Sequence, residues 1–351
     1  MHGGSDTVMG FTLHRRRLAA AAAAGLLAAT SAQAAEPNHT PAADLLAAAK
    51  KEGKIILYTA NFLDTEQAVA KRLNERFGIA IEIVRAPTGQ LITRIKTEAA
   101  ANKLIADVID ISDRVQARGM IDIFAPYTPP NAADYPEVTR TVDRLWPRSG
   151  NAWTITYNSA LVTDPPKSWA DLVKPEFGKL RLGQTVVASG GAPFTRAMFE
   201  RKVLGEDYWT KQAALKPSLF PSQAPMVDAM IRGEIAIAPL VTNLAIPLAA
   251  QGAPLKWFFA PEGVPATVFA AGLTKTSPNP NAAKLFLDWA LSREGQALMV
   301  ELGSFSSLAH APMPPGVDAK AIKTWYADDA EFERVHKPWS EDWNKAYNYR
   351  Q

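Results

Sequence analysis

Residues 54–111 read KIILYT-ANFLDTEQAVAKRLNERFG-IAIEIVR-APTGQLITRIKTEAAANKLIA-DVIDI, and the switching of hydrophobic period along them decides the fold. Ile55-Ile56-Leu57-Tyr58 is a short apolar run suited to a strand buried on both faces. From Asp64 to Phe77 the residues Val69, Leu73 and Phe77 recur every four positions, which predicts a helix. Asp64 and Gln67 have the spacing of a reciprocal cap, and Gly78 ends the helix where a positive φ costs little. Ile79 to Val84 reads as a second strand, Gly89 to Ala101 as a second helix, and Val108 to Ile111 as a third strand. This βαβαβ order builds a parallel sheet with helices on its faces.

Outward from this unit, Pro126 to Pro147 is rich in Pro, Asp and Thr and predicts an irregular connection. A second α/β set follows: strands at Thr154–Tyr157, Leu180–Leu182, Ile235–Leu240 and Leu255–Phe259, with helices at Pro193–Leu204, Gln223–Gly233 and Asn243–Gln251. A third part holds a strand at Val268–Leu273, a helix at Asn281–Leu291 capped by Asn281, and a helix at Arg293–Leu302. Its elements are too few for a lobe and must return to one of the two earlier sheets, most economically the first. The expected division is 43–145 with 262–305 as one lobe, 150–258 as the other, and 306–351 as a C-terminal helical wrap. The aromatic run Trp325, Tyr326, Trp339, Trp343, Tyr347 and Tyr349 falls in that wrap.

At the N-terminus, Arg15, Arg16 and Arg17 precede an Ala/Leu-dominated stretch from Leu18 to Thr30, then Ala32-Gln33-Ala34. A basic start, a short apolar stretch and an A-x-A pattern predict a secretory signal peptide cleaved near Ala34, and therefore a periplasmic protein. Removing residues 1–34 takes away three Arg and one Asp, so the net charge of +3 falls to +1. A near-neutral chain lacks the basic field that phosphate backbones require, and nucleic acid is not an expected partner. Cysteine is absent, which removes thiolate metal sites and cysteine nucleophiles. No G-x-S-x-G elbow or H-E-x-x-H helix occurs, and only His310 and His336 lie in the body of the chain. An enzyme is not expected, and no cofactor is implied; an exported hydrolase is the distant alternative.

Several stretches resemble the bacterial extracellular solute-binding proteins, the periplasmic receptors of ABC importers, in the branch related to iron(III)-, phosphonate- and sugar-phosphate-binding members. They are Lys50-Lys51-Glu52-Gly53-Lys54, Thr88-Gly89-Gln90-Leu91, Ile105-Ala106-Asp107-Val108, Pro166 to Leu172, and Asn279 through Trp289 to Ser292-Arg293-Glu294-Gly295-Gln296. The similarity runs from about Ala43 to Leu302. It implies the type II periplasmic binding fold: two α/β lobes, each a mainly parallel sheet flanked by helices, with a ligand cleft between them. It also implies a monomer that closes by hinge bending and docks on an inner-membrane permease. A sensor presenting ligand to a membrane kinase is a further alternative.

Ligands of open α/β sheets sit beyond the carboxyl ends of strands. That rule selects Asn61, Thr88, Gly89, Ser112 and Asp113 in the first half, and Ser189, Gly190, Gly191, Thr242 and Asn243 in the second. The glycines would let backbone N–H groups approach a solute, and helix N-termini favour anions. Thr-Gly and Gly-Gly are also ordinary turns, and Ser or Thr before a helix is an ordinary cap. Iron(III) sites in the resembling branch use paired tyrosines, whereas Val241-Thr242-Asn243-Leu244 has none. Tyr58 and Tyr157 are the remaining phenols for an iron reading, and no metal site is expected. A small organic or phosphorylated anion fits the neutral donors better, and a cation steered by Asp113 is a further option.

Overall fold

In the computed structural model, which describes residues 39–136 and 144–350, the first sheet is built as the periodicity predicts. Helix α1 (Ala43–Glu52) leads into β1 (Lys54–Thr59), α2 (Leu63–Phe77), β2 (Ala80–Arg85), α3 (Thr88–Ala100), β3 (Val108–Ile111) and the short α4 (Arg114–Arg118). Strand β1 pairs in parallel with both β2 and β3. Gly53 and Gly78 terminate α1 and α2 at φ 73°, the left-handed region that glycine enters cheaply. The residues of the expected signal peptide lie outside the described residues, as do residues 137–143 of the irregular connection.

Strand β4 (Trp146–Asn158) then crosses from one half to the other. Beyond it come α5 (Pro175–Gly178), β5 (Gly183–Thr185), α6 (Gly191–Phe199), α7 (Tyr208–Ala214), β6 (Ser218–Phe220) and α8 (Gln223–Ile231). They are followed by β7 (Ile237–Val241), α9 (Thr242–Ala250), β8 (Leu255–Phe258) and β9 (Val264–Leu273). The chain ends in α10 (Pro280–Ala290), α11 (Arg293–Glu301), β10 (Thr324–Trp325) and α12 (Asp329–Ala346). Strand order is β2-β1-β3-β9-β4-β7, with β8 on β4 and β10 on β9, and a separate pair β5-β6. The described residues form one compact unit.

The two-lobed type II α/β fold stands, but strand direction departs from the expectation in the second half. There β5-β6 are parallel and Leu182 bridges Ile237 in parallel, but β4 runs antiparallel to β7, β8 and β9. Short apolar runs reveal burial and not direction. The direction is set by β4, whose N-terminal part pairs with β9 beside the first sheet and whose C-terminal part pairs with β7. These two long strands bridge the halves and continue the sheet through both.

Two expected caps are absent for identifiable reasons. Helix α2 begins at Leu63 behind Phe62, so Asp64 sits in its first turn, where its charge faces the positive helix end, and no side chain caps it. Helix α10 is capped from a distance. The Glu52 carboxylate, at the end of α1, accepts from the Asn281 and Ala282 backbone N–H groups and from Asn281 Nδ2. That links the helices whose faces, Ala49 against Ala282, Ala283 and Leu285, are fully buried.

A register shift between Pro147 and Ser149 bulges β4 at Arg148 and turns its side chain into the core. There the guanidinium bridges Asp110 of β3 and Glu66 of α2, with all three side chains fully buried. Helix α12 lays Phe332, Val335 and Trp343 on α6 and α7, with Tyr347 stacked on Trp343 at 4.2 Å between centroids. Its first residue, Asp329, pairs with Arg114 and Arg118 of α4, both at 2.8 Å, so the C-terminal helix touches both halves.

Candidate ligand-binding site

The carboxyl ends of β1, β2 and β3 face the segments 186–191, 222–223 and 241–243 of the second half, and the seam between them carries the expected residues. Asn243 Nδ2 donates to Asn61 Oδ1 at 3.0 Å across the seam. Asn151 of β4 reaches Asn243 Oδ1 at 3.4 Å and accepts from Thr267 of β9 at 2.8 Å. Thr88 and Ser112 share a hydroxyl–hydroxyl bond of 2.9 Å. Thr242 takes a long bond from the Ala152 N–H, 3.4 Å. Ser189 spends its proton on the Val186 carbonyl at 3.0 Å, so its oxygen offers only an acceptor.

Asp113 points inward and is occupied locally. It caps α4 by accepting from the Gln116 N–H at 2.9 Å, and burial pushes its carboxyl up to about 6. The three glycines stand where the halves touch. A Cβ on Gly89 would lie 2.7 Å from the Ala188 carbonyl oxygen, one on Gly190 2.5 Å from Thr88 Cβ, and one on Gly191 2.5 Å from Asp113 Cβ. In this shut arrangement they admit the opposing half of the same chain, a use that sequence reasoning did not foresee.

A cleft pocket opens beside this seam, with about 50 Å³ of room for water-sized groups. It is lined by Thr88, Ser112 and Ser189 of the expected set, and by Arg85, Asn151 and Gln223, which that set lacked. The starts of three helices also line it: α3 at Pro87-Thr88, α6 at Ala192-Pro193 and α8 at Ser222-Gln223. None of the three is capped by a side chain. Pro87 and Pro193 carry no N–H, so the donors at these starts are the N–H groups of Thr88, Ala192 and Gln223, which sit at the positive helix ends that draw anions.

Arg85 is the only formally charged residue in this lining. It is half-buried, its Nε–H donates to the Asn61 carbonyl at 3.2 Å, and its guanidinium lies 5.9 Å from the Phe62 ring centre. Burial alone pulls its pKa down, and no carboxylate among the described residues pairs with it. Asn61, fully buried, holds a second unmet donor. Its Oδ1 accepts from the Phe62 N–H at 2.9 Å, which fixes the amide orientation, and its Nδ2 has no acceptor. The signal available in the sequence was position: Arg85 ends a strand whose following loop was already assigned to the cleft.

Other polar and aromatic side chains fall outside the pocket. Arg196 is fully buried, paired with Glu200 at 2.6 Å and stacked over Trp153. Arg94 pairs with Glu98 at 2.7 Å on the surface. His336 stacks on Phe332 at 5.4 Å and is half-buried, so it is a packing residue of α12. Tyr58 donates to Glu98 at 2.9 Å; burial and that carboxylate push its pKa up, which disfavours the phenolate iron(III) needs. No group of three or more His, Cys, Asp or Glu side chains suited to a metal converges among the described residues.

Two α/β halves joined by crossing strands, with uncapped helix N-termini gathered in the cleft, define a solute-binding protein. The chain belongs to the bacterial extracellular solute-binding proteins, whose sequence profile matches residues 59–297. Members of this family bind small solutes and work with ABC-transporter permeases. The structure is similar to the periplasmic binding protein AfuA from Actinobacillus pleuropneumoniae, solved with fructose 6-phosphate, at TM-score 0.73 and 20% identity over 85% of this chain and 100% of that one. It is similar to iron-bound HitA from Pseudomonas aeruginosa at TM-score 0.67 and 21% identity, covering 83% and 99%. A periplasmic thiamin-binding protein matches at TM-score 0.70 and 18% identity, covering 84% and 96%. Three solutes of unlike charge on one fold leave the ligand to be argued from the site.

Proposed function

We propose that this chain is the periplasmic receptor of an ABC importer and that its solute is a small organic or phosphorylated anion. The observation that carries the reading is the gathering of three uncapped helix starts, those of α3, α6 and α8, around one cleft pocket. Each contributes about half a positive charge at its N-terminus, fixed in place before any ligand arrives. We assign the lobes as 43–145 with 262–305 and 150–258, with 306–351 as the wrap, and place the hinge in the bridging strands β4 and β9. Solute touching both lobes favours the shut state, which a permease then reads. The chain acts as a monomer, exported by its basic and Ala/Leu-rich leader.

The iron(III) alternative is weaker because Tyr58 is engaged away from the cleft and the pocket offers no carboxylate. A thermal-shift panel of phosphonates, sugar phosphates, carboxylates, polyamines and iron(III) tests the reading. A ligand at 1,000 times its Kd adds about 4 kcal/mol of stability, a shift of several degrees for a protein of this size. Stabilisation by anions is the expected result. Stabilisation by iron(III) or polyamines alone would overturn it.

A further inference from the structure

The hydrogen-bonding inventory of the pocket narrows the solute class, resting on the anion-receptor reading above. Its side-chain carbonyl acceptors are already committed. Gln223 Oε1 accepts from the Val241 N–H at 2.9 Å, and Asn151 Oδ1 from Thr267 Oγ1 at 2.8 Å. Asn61 Oδ1 accepts from both Phe62 N and Asn243 Nδ2. What remains as donors are the outer nitrogens of Arg85, the Gln223 amide NH2, the Ser222 hydroxyl, one hydroxyl proton of the Thr88–Ser112 pair and the helix-start N–H groups, while the acceptors left are hydroxyl oxygens, Ser189 Oγ among them. The apolar part of the lining is chiefly Phe62, Phe269, Pro87 and Pro193. A solute rich in hydroxyl or ammonium protons would find few acceptors here and would forfeit its hydration.

We propose that Arg85 is the charge anchor of the site and that the solute is a compact oxyanion, a short carboxylate or alkylphosphonate, whose remainder carries no hydrogen-bond donors. The head group lies between the guanidinium and the starts of α3, α6 and α8, meeting planar paired donors that suit two oxygens at once. The apolar remainder lies against Phe62 and Phe269. Asn61 ties the arrangement together, since its carbonyl holds Arg85 while its side chain reaches Asn243 of the other half. Anchor and seam thus share one residue, and Arg85 selects charge while the committed acceptors select against polyols and amines.

Titration calorimetry on the full mature chain tests this with butyrate, ethylphosphonate, butyramide, 4-aminobutyrate and fructose 6-phosphate. Butyrate or ethylphosphonate should bind, and the stronger of the two names the head group. Butyramide, equal in shape but uncharged, should bind at least tenfold more weakly than butyrate. Arg85→Gln should weaken the better anion by about 10- to 100-fold, the loss expected of a charged hydrogen bond. Arg85→Lys should recover part of it, and Arg94→Gln, outside the pocket, should bind as the parent does. The Lys variant keeps the test valid if Arg85→Gln lowers the melting point of the free protein. Anion binding unchanged in both Arg85 variants would overturn the anchor while leaving the anion-receptor reading intact. Tighter binding of fructose 6-phosphate or 4-aminobutyrate than of the simple anions would overturn the solute class. Binding to none of the five would overturn the proposal, and if polyamines or iron(III) alone stabilise the chain, both readings fall.

Discussion

Replacing Gly191 by Ala should hold the two halves apart without harming either. The added Cβ would stand 2.5 Å from Asp113 Cβ, 2.8 Å from the Ser112 carbonyl oxygen and 2.9 Å from Asp113 Cγ, whereas ordinary contact begins near 3.4 Å. The shortfall is about 1 Å, and the nearest atoms are backbone or the root of a side chain, which cannot swing aside. Gly191 has no positive φ, so the clash and not backbone strain is the whole effect. Overpacking of this kind costs about 1–3 kcal/mol, charged only to the shut state, and weakens solute binding by roughly 5- to 150-fold. Spin labels at Lys96→Cys and Lys256→Cys, one on α3 and one on β8, would report the separation directly, since the natural chain has no cysteine to interfere. The label distance should lengthen and binding weaken, while the melting point of the ligand-free protein holds within a degree or two. An unchanged distance with unchanged affinity would refute the steric reasoning, as would a fall in ligand-free stability that accounts for all the lost binding.

Further outcomes follow from particular contacts. Arg148→Met strands two fully buried carboxylates and should cost about 3–5 kcal/mol, a fall in melting temperature of about 10 °C by calorimetry. The Asp113 carboxyl, pushed from 3.8 to about 6 by burial, keeps its proton in the folded state after the unfolded chain has lost it. Stability from this group therefore falls as pH rises from about 4 to 6, by about 3 kcal/mol at most, and Asp113→Asn should flatten that part of a melting-point profile. Asp288, pushed to about 6 by burial, acts in the same sense, so part of the slope should remain. Asp329→Ala breaks two half-exposed ion pairs between α12 and α4 and should lower stability by about 1 kcal/mol or less, measured by urea unfolding. The double change Thr88→Ala and Ser112→Ala should weaken the bound anion by about tenfold in titration calorimetry, because it removes the one hydroxyl proton this pair leaves free in the pocket.

The first sheet was legible because its signals are local. The four-residue recurrence of Val69, Leu73 and Phe77, and the apolar run at Ile55, each need only a few neighbouring residues, and β3 falls at Val108–Ile111 as expected. What escaped depends on partners far along the chain. Helix α10 is capped by Glu52, more than two hundred residues earlier, so a local search naturally chose Asn281. Arg196 looks like a surface residue until Glu200 and Trp153 enclose it. In the site, glycines and hydroxyls before helices were visible as turn and cap signals. Asn151 in the middle of a long strand and Gln223 at a helix start carry no such mark. Their place in the pocket comes from the crossing of β4 and the entry of α8, which only the assembled fold supplies.

The late return of β9 has a consequence for how the molecule is made. Its first sheet is finished only when residues 264–273 arrive beside β3, which ends at Ile111. At a synthesis speed of about 5–20 residues per second, roughly 8–30 s pass between the emergence of one edge and of the strand that covers it. Throughout that interval a newborn chain carries a bare strand rim, the kind of template on which neighbouring polypeptides aggregate. A holdase on the ribosome-proximal segment would meet that hazard.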